Sequence, residues 1–178
     1  MMLDKGWKES MIVKRIREKG GGYTMLVDSD DLISNSIASY VKENPDENGF
    51  LSPYGYAYND GSDYVKKLTA LHRICGSCSI VNYSVEDLPD NMPENLWDDS
   101  PKDVWIIRKS HRVIPDYLEK HGRRLVRMPF PTTIYVRNTG DNHSMQNGGD
   151  LNWKRKVELA VRPRIKISGG IADQFGVY

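Results

Sequence analysis

Three carboxylates crowd into four positions at Asp28-Ser29-Asp30-Asp31, directly behind the apolar run Met25-Leu26-Val27. A short apolar stretch that turns acidic reads as a buried strand, Tyr23 to Val27, ending at a crevice. Residues at i and i+2 share one side of an extended backbone, so Asp28 and Asp30 are expected to aim at one point. Carboxylate oxygens are hard donors. They suit Mg or Mn, and two of them leave coordination positions for water and for the oxygens of a substrate diphosphate. A plainer reading stays open beside this one, in which Asp31 or Ser34 merely caps the helix that follows. A helix-loop-helix calcium loop is set aside, because Ile33 stands sixth from Asp28 where that loop needs glycine and Ser39 stands twelfth where it needs glutamate.

Other side chains able to do chemistry are scattered. His143 sits in a polar loop with Asp141 and Asn142 and is a candidate third metal ligand. His111, just ahead of a helical pattern, is a candidate general base, since histidine changes charge near neutral pH. His72, Cys75 and Cys78 form H-x2-C-x2-C, three soft ligands at zinc spacing, but a closed structural site needs four and the chain holds no second cysteine pair. A redox role would want a nucleophilic cysteine at a helix N-terminus, whereas Arg73-Ile74 and Ser79-Ile80-Val81 flank the pair with strand-like sequence. Cys75 and Cys78 are therefore expected to be buried, inert thiols. Tyr54, Tyr56 and Tyr58 alternate, so they share a strand face that either stacks on a sugar ring or packs under a helix.

The elements that must position these groups follow from periodicity and breakers. Gly6 to Lys19 reads as an amphipathic helix with Trp7, Met11, Ile12 and Ile16 inward, closed by Gly20-Gly21-Gly22. The Tyr23 to Val27 strand and the acids come next, and then a helix over Ser34 to Lys42, stopped at Asn44-Pro45. Phe50 to Tyr58 reads as a strand turning at Asn59-Asp60-Gly61-Ser62, and Arg73 to Tyr83 as a buried strand broken by Gly76. Glu86 to Asp103 carries seven carboxylates against one lysine and reads as a solvated acidic loop. A helix with Pro115 in its first turn ends at His121-Gly122. Leu125 to Val136 is extended, and Pro129 and Pro131 argue for an edge or irregular strand. From Asn138 the composition turns polar, giving a main domain over residues 1–145 and a basic tail over 146–178 that packs on it, through Lys154, Arg155, Lys156, Arg162, Arg164 and Lys166.

Composition sets few further bounds. At 178 residues, 39% hydrophobic and 28% charged, the chain is long enough for a real core. A net charge of +1 gives no reason to expect nucleic acid as a partner. No run approaches the ~18 apolar residues of a membrane span, and Asp4, Lys5, Lys8 and Glu9 stand where a signal peptide needs an apolar core, so a cytoplasmic location is expected. Two cysteines are too few for a disulfide framework, in keeping with that compartment.

Taken together, Lys14 to Asp31, the helix after it, and the Phe50 to Tyr58 and Arg73 to Tyr83 strands resemble the second half of the GT-A-fold glycosyltransferases, in particular the family-2-like ones. Val27-Asp28-Ser29-Asp30-Asp31-Leu32-Ile33-Ser34 is similar to their DxDD signature. That resemblance covers residues 5–145 and implies an α/β fold with a mixed sheet flanked by helices, a nucleotide-sugar donor, Mn or Mg, and transfer of the sugar to an acceptor hydroxyl. It implies that Asp28 faces the ribose or sugar, that Asp30 ligates the metal, and that Asp31 supports the site or caps the next helix. Members of the family carry a Glu-Asp pair about a dozen residues ahead of a helix-ending glycine, with the Asp as base. Counting back from Gly122 gives Ser110-His111, a departure that hands the base role to His111. The family's first, base-binding strands have no counterpart here, so an exposed sheet edge is expected, covered by a second copy or a partner chain. Two other functions stay in view. Asp28-Ser29-Asp30 also resembles the opening motif of aspartate-nucleophile phosphatases, with Asp98-Asp99 as a late acidic pair; and a non-catalytic binding or assembly module would keep the fold without the chemistry.

Overall fold

The computed structural model describes residues 2–45, 47–90, 106–137 and 161–177. Its elements in chain order begin with α1 (Met2–Glu18), β1 (Gly22–Met25), β2 (Leu32–Ile33), α2 (Ile37–Glu43), β3 (Gly49–Leu51) and β4 (Gly55–Asn59). They continue with β5 (Tyr64–Leu68), β6 (Ser79–Tyr83), α3 (Ile114–Lys120), β7 (Val126–Arg127), β8 (Thr133–Arg137), β9 (Arg164–Lys166) and α4 (Gly169–Phe175). The fold is α/β, as expected, but with two sheets among the described residues instead of one, in the orders β1-β6-β3-β7 and β2-β8-β4-β5-β9. The chain divides into two compact units, the first built from Met1–Leu26, Asp46–Leu51 and Ser79–Val126, the second from Val27–Pro45, Ser52–Cys78 and Arg127–Tyr178.

In the first unit, β6 pairs antiparallel with both β1 and β3. Gly49 takes φ +139 where β3 runs against β6, and a Cβ there would strike the carbonyl oxygen of Ile80, so only glycine fits. Helix α1 packs Val13 and Ile16 into a core with Leu51, Val81, Tyr83, Ile114 and Leu118. Its inner face is rotated from the expected one: Trp7 is 54% and Met11 50% exposed, because the buried line runs through Gly6, Ser10, Val13 and Ile16. The helix ends as its glycines predict. Gly21 N–H reaches the Ile16 carbonyl at 3.0 Å and Gly20 N–H the Arg17 carbonyl at 2.9 Å, a paired closure that needs the left-handed φ of 78° at Gly20.

The second unit holds a mixed sheet. β8 runs parallel to β4 and antiparallel to β2, and β5 is antiparallel to β4 and β9. One face buries Ala57, Leu68, Leu71, Cys75 and Cys78; the other buries Val65, Ile134, Val136 and Phe175. Tyr56 and Tyr58 lie on the second face, and the Tyr56 ring meets Phe175 of α4 edge-on at 6.0 Å and 80°. Of the two uses open to the tyrosine stripe, these two residues serve packing under a helix.

Several boundaries differ from those expected, for local reasons. Phe50 to Tyr58 is two strands in different sheets, split at Ser52-Pro53-Tyr54, since a proline has no N–H to give a ladder. Arg73 to Tyr83 is strand only from Ser79; Leu71–Arg73 is a turn of 3-10 helix and Ile74 to Cys78 a loop. Pro129 and Pro131 fall in the connection between β7 and β8, which leaves β8 free to be an interior strand instead of an edge. The described part of the basic tail supplies β9 and α4 to the second unit. Residues 91–105, most of the acidic loop with Asp98-Asp99, lie outside the described residues.

Candidate functional site

The acids do not sit on an extended strand. β1 stops at Met25, and Asp31 N–H bonds back to the Asp28 carbonyl at 3.1 Å, folding residues 28–31 into a tight turn ahead of the short strand β2. The strand-face argument for Asp28 and Asp30 is thus corrected: a turn, not alternation along a strand, sets the spacing of their carboxylates. The following helix begins only at Ile37, with Ser36 at its N-cap. Neither Asp31 nor Ser34 caps it. Ser34 Oγ instead accepts from Ser36 N–H at 3.2 Å and from the Gln174 side chain at 3.0 Å.

Asp31 is the buried member of the trio, at 9% exposure. Its Oδ2 accepts a hydrogen bond from the Cys75 thiol at 3.0 Å, and its Oδ1 accepts one from Val136 N–H at 3.3 Å. The second contact has a geometric cause. Leu32 pairs with Ile134, so a longer β2 would place Asp30 opposite Val136; the strand stops short and a carboxylate takes the N–H instead. Ser77 completes the support, since its hydroxyl hydrogen-bonds the Asp31 carboxylate and accepts Asp28 N–H at 2.9 Å. Ser77 is itself held through its carbonyl, which accepts the Thr133 hydroxyl at 2.7 Å.

Electrostatics follow from this burial. Loss of water raises the Asp31 carboxyl above the usual carboxylate range; the Cys75 and Ser77 hydrogen bonds pull against that, and the neighbouring charges of Asp28 and Asp30 add to it. The Cys75 thiol is pushed up far more strongly, first by burial and then by the Asp31 charge, so it stays protonated as a donor. Both cysteines are buried, as expected of inert thiols, and neither is in a disulfide.

Asp28 is exposed and Asp30 half-buried, and among the described residues neither is paired with a lysine or arginine. No group of three or more His, Cys, Asp or Glu side chains among the described residues is placed to hold a metal ion. What the turn offers is two carboxylates. Carboxylate oxygens are the type of donor that a hard divalent cation would take. His143, the candidate third ligand, lies outside the described residues. His111 belongs to the first unit, half-buried in the turn that precedes α3.

Cys75, Ser77 and the Val136 N–H are the site residues that sequence reasoning missed. The Cys75-Gly76-Ser77-Cys78 motif stood out in the sequence, but as thiols for metal or redox work and not as hydrogen-bond donors to an acid 44 residues earlier. No family model matches the chain, and comparisons with curated proteins and with solved structures give no match. Among the described residues no helix is long and apolar enough to cross a membrane.

Proposed function

We propose that this chain is a metal-dependent glycosyltransferase of the GT-A kind, resembling the second half of that fold, that transfers a sugar from a nucleotide-sugar donor to an acceptor hydroxyl. The observation that carries the reading is the acid turn. One carboxylate, Asp31, is turned inward and bonded to Cys75 and Val136, while Asp28 and Asp30 remain at the surface without cationic partners among the described residues. Like charges in proximity repel, so a cation beside the turn would relieve the repulsion among its three acids.

In this reading Asp28 faces the ribose or sugar of the donor, and Asp30 is the principal oxygen ligand to Mn or Mg, with His143 as a further ligand. Asp31 holds the turn from within. A bound cation supplies positive charge against the departing diphosphate. The acceptor oxygen bonds to the anomeric carbon as the bond from carbon to diphosphate breaks, and its proton passes to a general base, the role for which the sequence offers His111. The same proposal places the protein in the cytoplasm and covers a sheet edge with a second copy or a partner chain; β1 and β7 are the terminal strands of the first sheet.

A panel of nucleotide sugars incubated with Mn tests it, with release of nucleoside diphosphate as the signal. Release is expected, and Asp30→Ala should abolish it. His111→Ala should cut turnover by about 10²–10⁴-fold without weakening nucleotide binding. Hydrolysis of an aryl phosphate that vanishes in Asp28→Asn, with no attack on any nucleotide sugar, would instead identify a phosphatase.

A further inference from the structure

We propose that one end of the second sheet is a binding face for single-stranded nucleic acid, on which Lys66, Arg137, Arg164 and Lys166 hold phosphates and Tyr64 stacks on a base. None of these residues belongs to the acid turn, so this role is independent of the metal-dependent reading above.

Strand register brings the group together. Ala57 of β4 pairs with both Tyr135 of β8 and Lys66 of β5, and Lys66 pairs with Arg164 of β9, so these four residues form one row across one face. The next row on that face, two residues along each strand, holds Arg137, Asn59, Tyr64 and Lys166, with Asn59 opposite Arg137 and Tyr64 opposite Lys166. The other end of this face is filled by Leu68, Leu71, Cys75 and Cys78. At the Asn59 end Asn59, Arg164 and Lys166 are exposed, and Tyr64 keeps 42% of its surface open. Ile165 and Ile167 alternate with the two cations of β9 and pack into the core of the opposite face, which turns Arg164 and Lys166 toward this one. The strand is pinned there, since Arg162 donates to the Lys67 carbonyl at 2.6 Å and Ile167 N–H to the Asp63 carbonyl at 2.9 Å.

The charges call for an anion. Lys66 and Arg164 stand directly opposite each other, a like-charge pairing that costs a sheet stability and that a phosphate between them would offset. Among the described residues no carboxylate lies within ion-pair distance of Arg137, Arg164 or Lys166, although Asp60 and Asp63 stand in the adjoining turn between β4 and β5. Arg164 and Lys166 lie about 7 Å apart along the strand, a step comparable to that between phosphates of an extended polynucleotide. Tyr64, across from Lys166, adds the aromatic plane that favours a nucleic acid over other polyanions. A duplex hides the faces of its bases, so only an unpaired strand can lay one on a ring in a sheet face. The net charge of +1 gives no sign of the patch, because Lys66 and Arg164 become neighbours only when β9 pairs with β5.

Fluorescence anisotropy of short labelled oligo(dT) and oligo(rU), titrated with the intact protein over a series of salt concentrations, tests the proposal. Binding of either supports it, and the tighter one shows whether DNA or RNA is the source. Arg164→Ala combined with Lys166→Ala should flatten the slope of log affinity against log salt by about 1.4. Tyr64→Ala should weaken binding by about tenfold with the slope unchanged, and that loss should disappear on an abasic strand of equal length. Arg164→Glu puts an anion across from Lys66, so it should weaken binding while holding or raising Tm, which separates lost binding from lost fold. Heparin or polyglutamate bound as tightly as the oligonucleotides, with Tyr64→Ala showing no effect, would mark a general polyanion surface and overturn the nucleic-acid assignment. Failure of the folded wild-type protein to bind either oligonucleotide, or binding that every variant leaves intact, overturns it as well.

Discussion

Asp31 is the residue whose environment makes the sharpest demands. Its carboxylate satisfies a buried thiol and a strand N–H, so Asp31→Ala strands both donors and should cost about 2 kcal/mol, seen as a fall in Tm of roughly 4–8 °C. Burial raises its carboxyl above the ordinary value of 3.8, so the folded chain holds a proton there at a pH where the unfolded chain has released it. The contribution of Asp31 to stability is therefore fully present below the unfolded value and is lost as pH rises through the raised one. Urea unfolding of wild type and Asp31→Asn in metal-free buffer checks this: from neutral pH downward the balance should shift toward wild type, and a pH-independent difference would contradict it. Cys75 allows a simpler check. Buried beside the Asp31 charge, its thiol should stay unmodified by an aromatic disulfide reagent until the protein unfolds.

Strand and helix positions explain how much of this was legible beforehand. Glycines and prolines marked element ends well: the Gly20-Gly21 closure of α1, the turn before β5 and the stop of α2 at Asn44 all fall where breakers predict. Strand partners were not legible, because pairing is decided by residues far apart in sequence. Nothing local in Phe50 to Tyr58 says that its two ends enter different sheets, and nothing in Val136 says that its N–H will be met by a side chain. The acid motif was readable as a cluster, yet the inward turn of Asp31 was not, since its partner Cys75 lies beyond any local window. Packing at this scale gives its own prediction. Phe175 closes one face of the second sheet over Tyr56, Ile134 and Val65, so Phe175→Ala should destabilise by about 3–5 kcal/mol in urea titration. Gly49→Ala should also destabilise, because its φ and the Ile80 carbonyl both reject a side chain.

At the scale of the whole chain, the two units are interleaved, with the backbone passing from one to the other five times. A fragment ending at residue 126 would keep every segment of the first unit but leave β4 without β8, exposing Ala57 and Val65. It is expected to bind a hydrophobic dye and to show no cooperative unfolding. The acid turn opens the second unit at its first crossing, and its support comes from two later segments, around Cys75 and Val136. The proposed function depends on those three stretches being assembled so that Asp28 and Asp30 stay accessible to a cation. Calorimetric titration of the intact protein with Mn, alone and with UDP, tests that most directly. Mn should bind more tightly when UDP is present, UDP should bind more tightly when Mn is present, and Asp30→Ala should remove both effects without lowering Tm. Binding of neither Mn nor UDP by the folded wild-type protein would contradict the account.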